Sequence, residues 1–366
     1  MATDFRFGGV DVRPGERAIA RVPVTTRLDG SELAIPVHVV RGSKPGPSLT
    51  VVSALHGSEW FSIEIVRRVV ATVPQEQLAG AVIGIPVANP IALEHFTRMT
   101  PDESDEPDLN RVWPGGTTWV TEQIAAALSR DVLSRTDALI DIHTGPWGAT
   151  LGAVGYGLDL PDRDVMKRSL ELAVAFGYPA IRGLRVMGQF PGPRSIGGYA
   201  GAALGIPSIG PNLGGAGFAP EVEESWLDSN VRGIFNVLRQ LRMLPGEPVL
   251  PARFFHFETR GHRLVPRRAG MLMPKLGPDA LVTAVREGTL LAEVVSPFTF
   301  EVLESIVAPA DGVIFGVARN YPVRPGDWAF FLAESDSPSS RWIDAAGTVA
   351  DIADTTLHAL TQRPAS

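Results

Sequence analysis

The sequence predicts a mixed α/β fold: a mostly parallel sheet with helices on both faces, followed by a small all-β, barrel-sandwich-like region. Two observations carry the prediction. Over the first 250 residues, short apolar strand-like runs alternate with amphipathic helical stretches, the pattern of a sheet covered on both sides. From about residue 251, short β-like runs follow one another at close intervals, separated by Gly, Pro and Asp. The 38 glycines and 31 prolines in 366 residues exceed ordinary usage and have no three-residue period, so they read as turn punctuation rather than a fibrous repeat. The expected division is 1–250, 251–336 and a tail over 337–366.

Residues 17–41 alternate apolar and polar around Asp29-Gly30, a hairpin expected at the sheet edge. The run 49–55, entered through Pro45-Gly46-Pro47-Ser48, is apolar enough for a strand buried on both faces. A helical pattern covers 58–73. Strands are expected at 81–87 and 138–142, and helices at 118–133, 160–176 and 220–244. The polar segment 89–116 is long for a connection, and loops of that length are commonly functional. In the C-terminal region, residues 307–314 and 323–327 resemble the hairpins of lipoyl and biotinyl carrier domains. No lysine stands at the expected tip, so the region reads as a structural module whose sheet edges could pair two copies of the chain.

Composition narrows the chemistry. There is no cysteine, which excludes disulfides and thiolate metal sites and leaves histidine, carboxylate and water as metal ligands. The net charge of −7 and the absence of a basic patch argue against a nucleic-acid partner. No run of eighteen apolar residues and no signal-peptide core occur, so no membrane partner and a cytoplasmic location are expected.

Three spots carry candidate function. His56-Gly57-Ser58-Glu59 follows the buried strand 49–55, where open α/β sheets place their ligand crevice. Asp141-Ile142-His143 ends another apolar strand and brings His143 to the same crevice. Two histidines, a glutamate and one position left to water is the ligand set of a catalytic zinc site. Asn110 and Arg111, in the polar loop, are suited to clamping a carboxylate, because guanidinium binds it bidentately. Arg194, in the Gly/Pro-rich loop 191–199, is a candidate for the acyl pocket.

His56-x-x-Glu59, Arg98, Asp-Leu-Asn110-Arg111-x-x-Pro-Gly and Asp-x-His143, in that order, resemble the succinylglutamate desuccinylase and aspartoacylase family over about residues 35–335. The resemblance implies Zn2+ on His56, Glu59 and His143, Asn110 and Arg111 on the carboxylate of a small-molecule substrate, and Arg98 on the scissile carbonyl oxygen. It implies a deacylase cleaving the amide or ester bond of an N-acyl amino acid or similar small carboxylate. The sequence departs from the family at one decisive place. The family's general base is a glutamate in a Glu-Leu-Gly-Gly segment, and here the segment reads Asn212-Leu213-Gly214-Gly215. Three readings follow: a nearby carboxylate (Glu221, Glu223 or Glu224) substitutes; the enzyme has diverged to a reaction that supplies its own base, with Asn212 as hydrogen-bond donor; or the chain is a zinc-retaining binding protein.

Overall fold

The computed structural model describes residues 5–101, 107–188, 191–258, 261–319, 321–335 and 337–361. The opening hairpin forms as expected: β1 (Arg17–Thr26) and β2 (Glu32–Arg41) pair antiparallel, with β1 at the sheet edge. Next come β3 (Lys44–Val52), α1 (Phe61–Thr72), β4 (Ala79–Ile85), the short α2 (Pro90–Glu94) and α3 (Val120–Asp131). β5 (Ala138–Asp141), β6 (Ala149–Gly157), α4 (Arg163–Phe176), β7 (Ala180–Leu184), α5 (Ile196–Leu204), β8 (Ser208–Gly214) and α6 (Pro220–Gln240) complete this part.

The sheet order is β1-β2-β4-β3-β5-β8-β6. β4, β3, β5 and β8 run parallel, while β2 and β6 flank them antiparallel. The sheet is therefore mixed, and less parallel than the strand-helix alternation alone implies. The reason is local: β5 and β6 are joined by residues 142–148, too short for the crossover that a parallel neighbour needs. β6 instead returns antiparallel on the far side of β8. Helices cover both faces. Leu49 and Val51 of β3 pack in the cluster that takes in α1, α4 and α6, whereas Val52 faces the cluster of α3 and α5. Burial on both faces explains why β3 reads as a continuous apolar run.

β9 (Arg253–Phe257) adds to the sheet parallel to β7. β10 (His262–Leu264), β11 (Gly270–Pro274), β12 (Leu290–Val295), β13 (Val302–Val307), β14 (Gly312–Ala318), β15 (Tyr321–Val323) and β16 (Phe330–Glu334) follow. They divide into two layers. β13-β12-β11-β15 form a separate four-stranded sheet, while β10, β16 and β14 extend the main sheet through pairing of β14 with β6. Between the layers Leu272, Leu291 and Val294 meet Ile314, Phe330 and Leu332 in a cluster of their own. The C-terminal segment then turns back. β17 (Ser340–Asp344) pairs with β9, and α7 (Val349–Thr361) places Ile352 and Ala353 in the main core.

Candidate active site

The C-terminal ends of β3, β5 and β8 converge on one crevice, as the topology of open α/β sheets requires. Beyond β3 the chain turns at Ala54, held at φ +48°, and enters a 3-10 turn over Gly57–Glu59. This turn brings His56 and Glu59 face to face: His56 Nδ1 lies 2.7 Å from Glu59 Oε1. His143, two residues past β5, points its own Nδ1 at the other carboxylate oxygen of Glu59, 2.8 Å away. One ligand atom from each of the three residues lies within 4.8 Å of the other two.

The outward nitrogens are also held. Asp108 Oδ1 accepts from His56 Nε2 at 2.9 Å, and Asp141 Oδ2 from His143 Nε2 at 2.9 Å. A carboxylate behind each imidazole fixes its orientation and raises its basicity as a ligand. The donor set fits zinc: two imidazole nitrogens and a carboxylate oxygen converge from one side, leaving the remaining direction open to the crevice. Burial disfavours the charge on Glu59, yet the two imidazoles outweigh it and hold this carboxyl well below the usual range. Asp108 is held low in the same way, against its burial, by His56 and the Arg98 and Arg111 charges.

Arg98 reaches the same cluster, donating to Glu59 Oε1 at 3.3 Å and Asp108 Oδ2 at 3.2 Å. Asn110 accepts from the backbone N–H of Ile196 at 2.8 Å through its Oδ1, which leaves its amide nitrogen 3.0 Å from His143 Nε2. Arg111 lines the crevice beside it. The structure thus gathers His56, Glu59, His143, Arg98, Asn110, Arg111 and Asn212 around one cavity.

Arg194, expected at the acyl pocket, is placed elsewhere. Its guanidinium donates to the carbonyls of Val112 and Trp113 and does not line the cavity, so it ties the loop before α5 to the polar loop. Glu221, Glu223 and Glu224 are also away from the cavity. They lie in the first turn and a half of α6, where Glu223 accepts from the N–H groups of Gly217 and Phe218 and Glu224 pairs with Arg68. Asn212 itself sits on β8 beside His143, with its Oδ1 buried and lacking a hydrogen-bond partner. Asp108, quoted in the sequence only as part of a motif, turns out to hold His56. Its signal was its place two residues before Asn110.

Gly57 is what lets the turn close. A Cβ there would stand 2.0 Å from the Ala92 carbonyl oxygen, inside van der Waals contact with backbone that cannot yield. Gly57→Ala is expected to cost about 1–3 kcal/mol and to weaken zinc binding, since His56 and Glu59 flank the displaced residue. Urea unfolding and a zinc titration of the variant check this; an unchanged midpoint with unchanged affinity would contradict it.

An α/β protein with a two-histidine, one-glutamate cluster at its strand ends is the class that fold and site define. A model of the succinylglutamate desuccinylase/aspartoacylase catalytic domain matches residues 45–241, and the chain belongs to that family. An N-alpha-acetyl-L-2,4-diaminobutyric acid deacetylase from Halomonas elongata is 29% identical over 346 residues, which are 90% of this chain and 93% of that one. Among solved structures, a succinylglutamate desuccinylase from Silicibacter sp. superposes with a TM-score of 0.74 at 23% identity, covering 88% of this chain and 95% of the other. The product-bound ectoine utilization protein of Ruegeria pomeroyi gives 0.71 at 22%, covering 87% and 95%. These structural likenesses bear on the fold. No helix among the described residues is long and apolar enough to cross a membrane.

Proposed function

We propose that this chain is a zinc-dependent deacylase that hydrolyses the amide, or ester, bond of an N-acyl amino acid or similar small carboxylate. The observation that carries the reading is the buried His56–Glu59–His143 cluster, backed by Asp108 and Asp141 and opening onto the crevice. Zinc held there supplies Lewis acidity, polarising the scissile carbonyl and lowering the pKa of water toward neutrality. The chain's own groups bind the substrate and stabilise the charge that develops on it. Arg98 stabilises the oxyanion that develops on the carbonyl oxygen. Asn110 and Arg111 bind the substrate carboxylate and fix the amino-acid end, and Asp108 and Asp141 keep the imidazoles aligned. Release of free amine from a panel of N-acyl amino acids should follow zinc content, appearing on reconstitution and vanishing on chelation. Full activity in a metal-free preparation would refute the proposal.

One observation favours a second reading. Asn212 occupies the place where the family's base is expected. An amide can accept or donate a hydrogen bond, but it does not carry a proton near neutral pH. With Glu223 and Glu224 held by other groups and Glu221 in the first turn of α6, off the cavity lining, that helix offers no substitute. On this reading the chain keeps zinc and the carboxylate clamp as a diverged, non-hydrolytic enzyme or a binding protein. Zinc-dependent binding of N-acyl amino acids without turnover distinguishes it.

A further inference from the structure

We propose that the crevice continues beyond the ligand cluster as an acyl trough, and that the acyl group it takes is bulky and apolar, of phenylacetyl size, rather than acetyl. The proposal rests on the deacylase reading and specifies its substrate.

The floor of the trough follows from strand register. β5, β8, β6 and β7 lie side by side. Gly210 of β8, one residue on from the Ile209/Ile140 pair, stands beside Asp141 of β5. Gly210 pairs with Gly155 of β6, and Gly155 with Arg182 of β7. Two adjacent glycines therefore separate Asp141 from Arg182, on strands whose Cα positions span about 14 Å at ordinary strand spacing. One step along, Ala153 faces Asn212 and Gly157 faces Leu184. Side chains alternate along a strand, so positions 153, 155 and 157 share the cavity face while Val154 points into the main core. The two glycines make room for neighbouring leucines: a Cβ at Gly155 would stand 2.8 Å from Leu184 Cδ1, and one at Gly157 3.0 Å from Leu160 Cγ.

The C-terminal region supplies the wall. Phe315, Trp328 and Phe331 line the cavity, with ring centroids 5.6 Å apart for Phe315–Phe331 and 4.9 Å for Trp328–Phe331. Leu184 and Val186 line the cavity from the β7 side. At the far end, the Arg182 guanidinium lies 5.5 Å from the Phe315 ring centroid and 5.9 Å from that of Phe257, which fixes the aromatic wall in place. The cavity encloses about 560 Å3, within the range of sites that surround ligands much larger than an N-acetyl amino acid. An acetyl group at the scissile position would leave the floor of small residues, its flanking Leu184 and the aromatic wall unused.

The test is calorimetric binding of N-acetyl and N-phenylacetyl derivatives of the same amino acid, taken in turn as 2,4-diaminobutyrate, glutamate and aspartate, to metal-free and zinc-loaded protein. The phenylacetyl compound should bind at least about tenfold tighter in both forms. Gly155→Val narrows the floor and should remove that preference while leaving acetyl affinity within about twofold. A Cβ at Gly155 meets the movable Leu184 Cδ1 at 2.8 Å, and Phe331→Ala is the independent variant should the valine disturb folding. Equal or tighter binding of the acetyl compound, binding of neither, or parallel losses for both compounds in Phe331→Ala would overturn the trough. A phenylacetyl preference without turnover of any derivative would support the trough and refute the deacylase reading.

Discussion

Asn212→Glu is expected to raise kcat for deacylation by about 10²–10⁴-fold, the usual contribution of a positioned general base. The side chain at this position lines the cavity beside His143, and its terminal oxygen is buried without a partner. A carboxylate there gains a group able to take a proton from water and return it to the leaving amine. Gly210, which precedes it by two residues on the same face, leaves room for one more methylene: a Cβ at Gly210 meets only the Asp141 carbonyl oxygen, at 3.6 Å. Zinc content should stay unchanged, because residue 212 is outside the His56–Glu59–His143 cluster that could hold the metal. Steady-state kinetics of wild type and variant on one N-acyl amino acid, at matched zinc occupancy, provide the comparison. A variant no faster than the wild type would show that the wild-type site already has its proton acceptor.

The parts of the fold legible in the sequence are those whose periodicity serves burial alone. β3 and α1 could be placed because two-sided and one-sided burial leave different repeats, continuous in Leu49–Val52 and helical in 61–72. β6 and β7 leave no strand pattern in the sequence. Gly152, Gly155 and Gly157 break up the β-forming pattern of β6, and β7 has only five residues with Arg182 and Gly183 among them. Of these, Gly155 and Gly157 line the cavity, so the strand pattern is broken where the cavity takes small residues. α5 was hidden likewise, since Gly197, Gly198 and Gly201 read as loop, although Ser195 caps the helix through the Gly198 N–H. At the site, residue types marked His56, Glu59 and His143 because few side chains ligate metals. The pairing of Asp108 with His56 crosses 52 positions and had no local pattern. Arg194 misled for the opposite reason: an arginine in a Gly/Pro-rich loop looks like a ligand contact, and only the fold puts the Val112 and Trp113 carbonyls in its reach.

His143→Ala is expected to abolish zinc binding and turnover together, and to destabilise the metal-free protein by about 3–5 kcal/mol, the cost of leaving a buried carboxylate without its cationic partner. His143 bridges Glu59 and Asp141; its loss strands Asp141, whereas Glu59 keeps His56 and Arg98. The pH dependence identifies the cause. Burial opposes protonation of His143, but Asp141 and Glu59 outweigh it and push its pKa from 6.5 up to about 10. A folded-state pKa above the unfolded one stabilises the fold fully below about pH 6.5, and the contribution fades as pH rises through about 10. The stability difference between metal-free wild type and variant, from urea unfolding, should therefore be largest near pH 6, shrink progressively between about pH 6.5 and 10, and level off above that range. Zinc uptake by the wild type should change with pH in the opposite sense, because the metal takes unprotonated imidazoles and releases their protons on binding. A stability gap independent of pH would assign the loss to packing around the ring instead of the charge that His143 carries between two carboxylates.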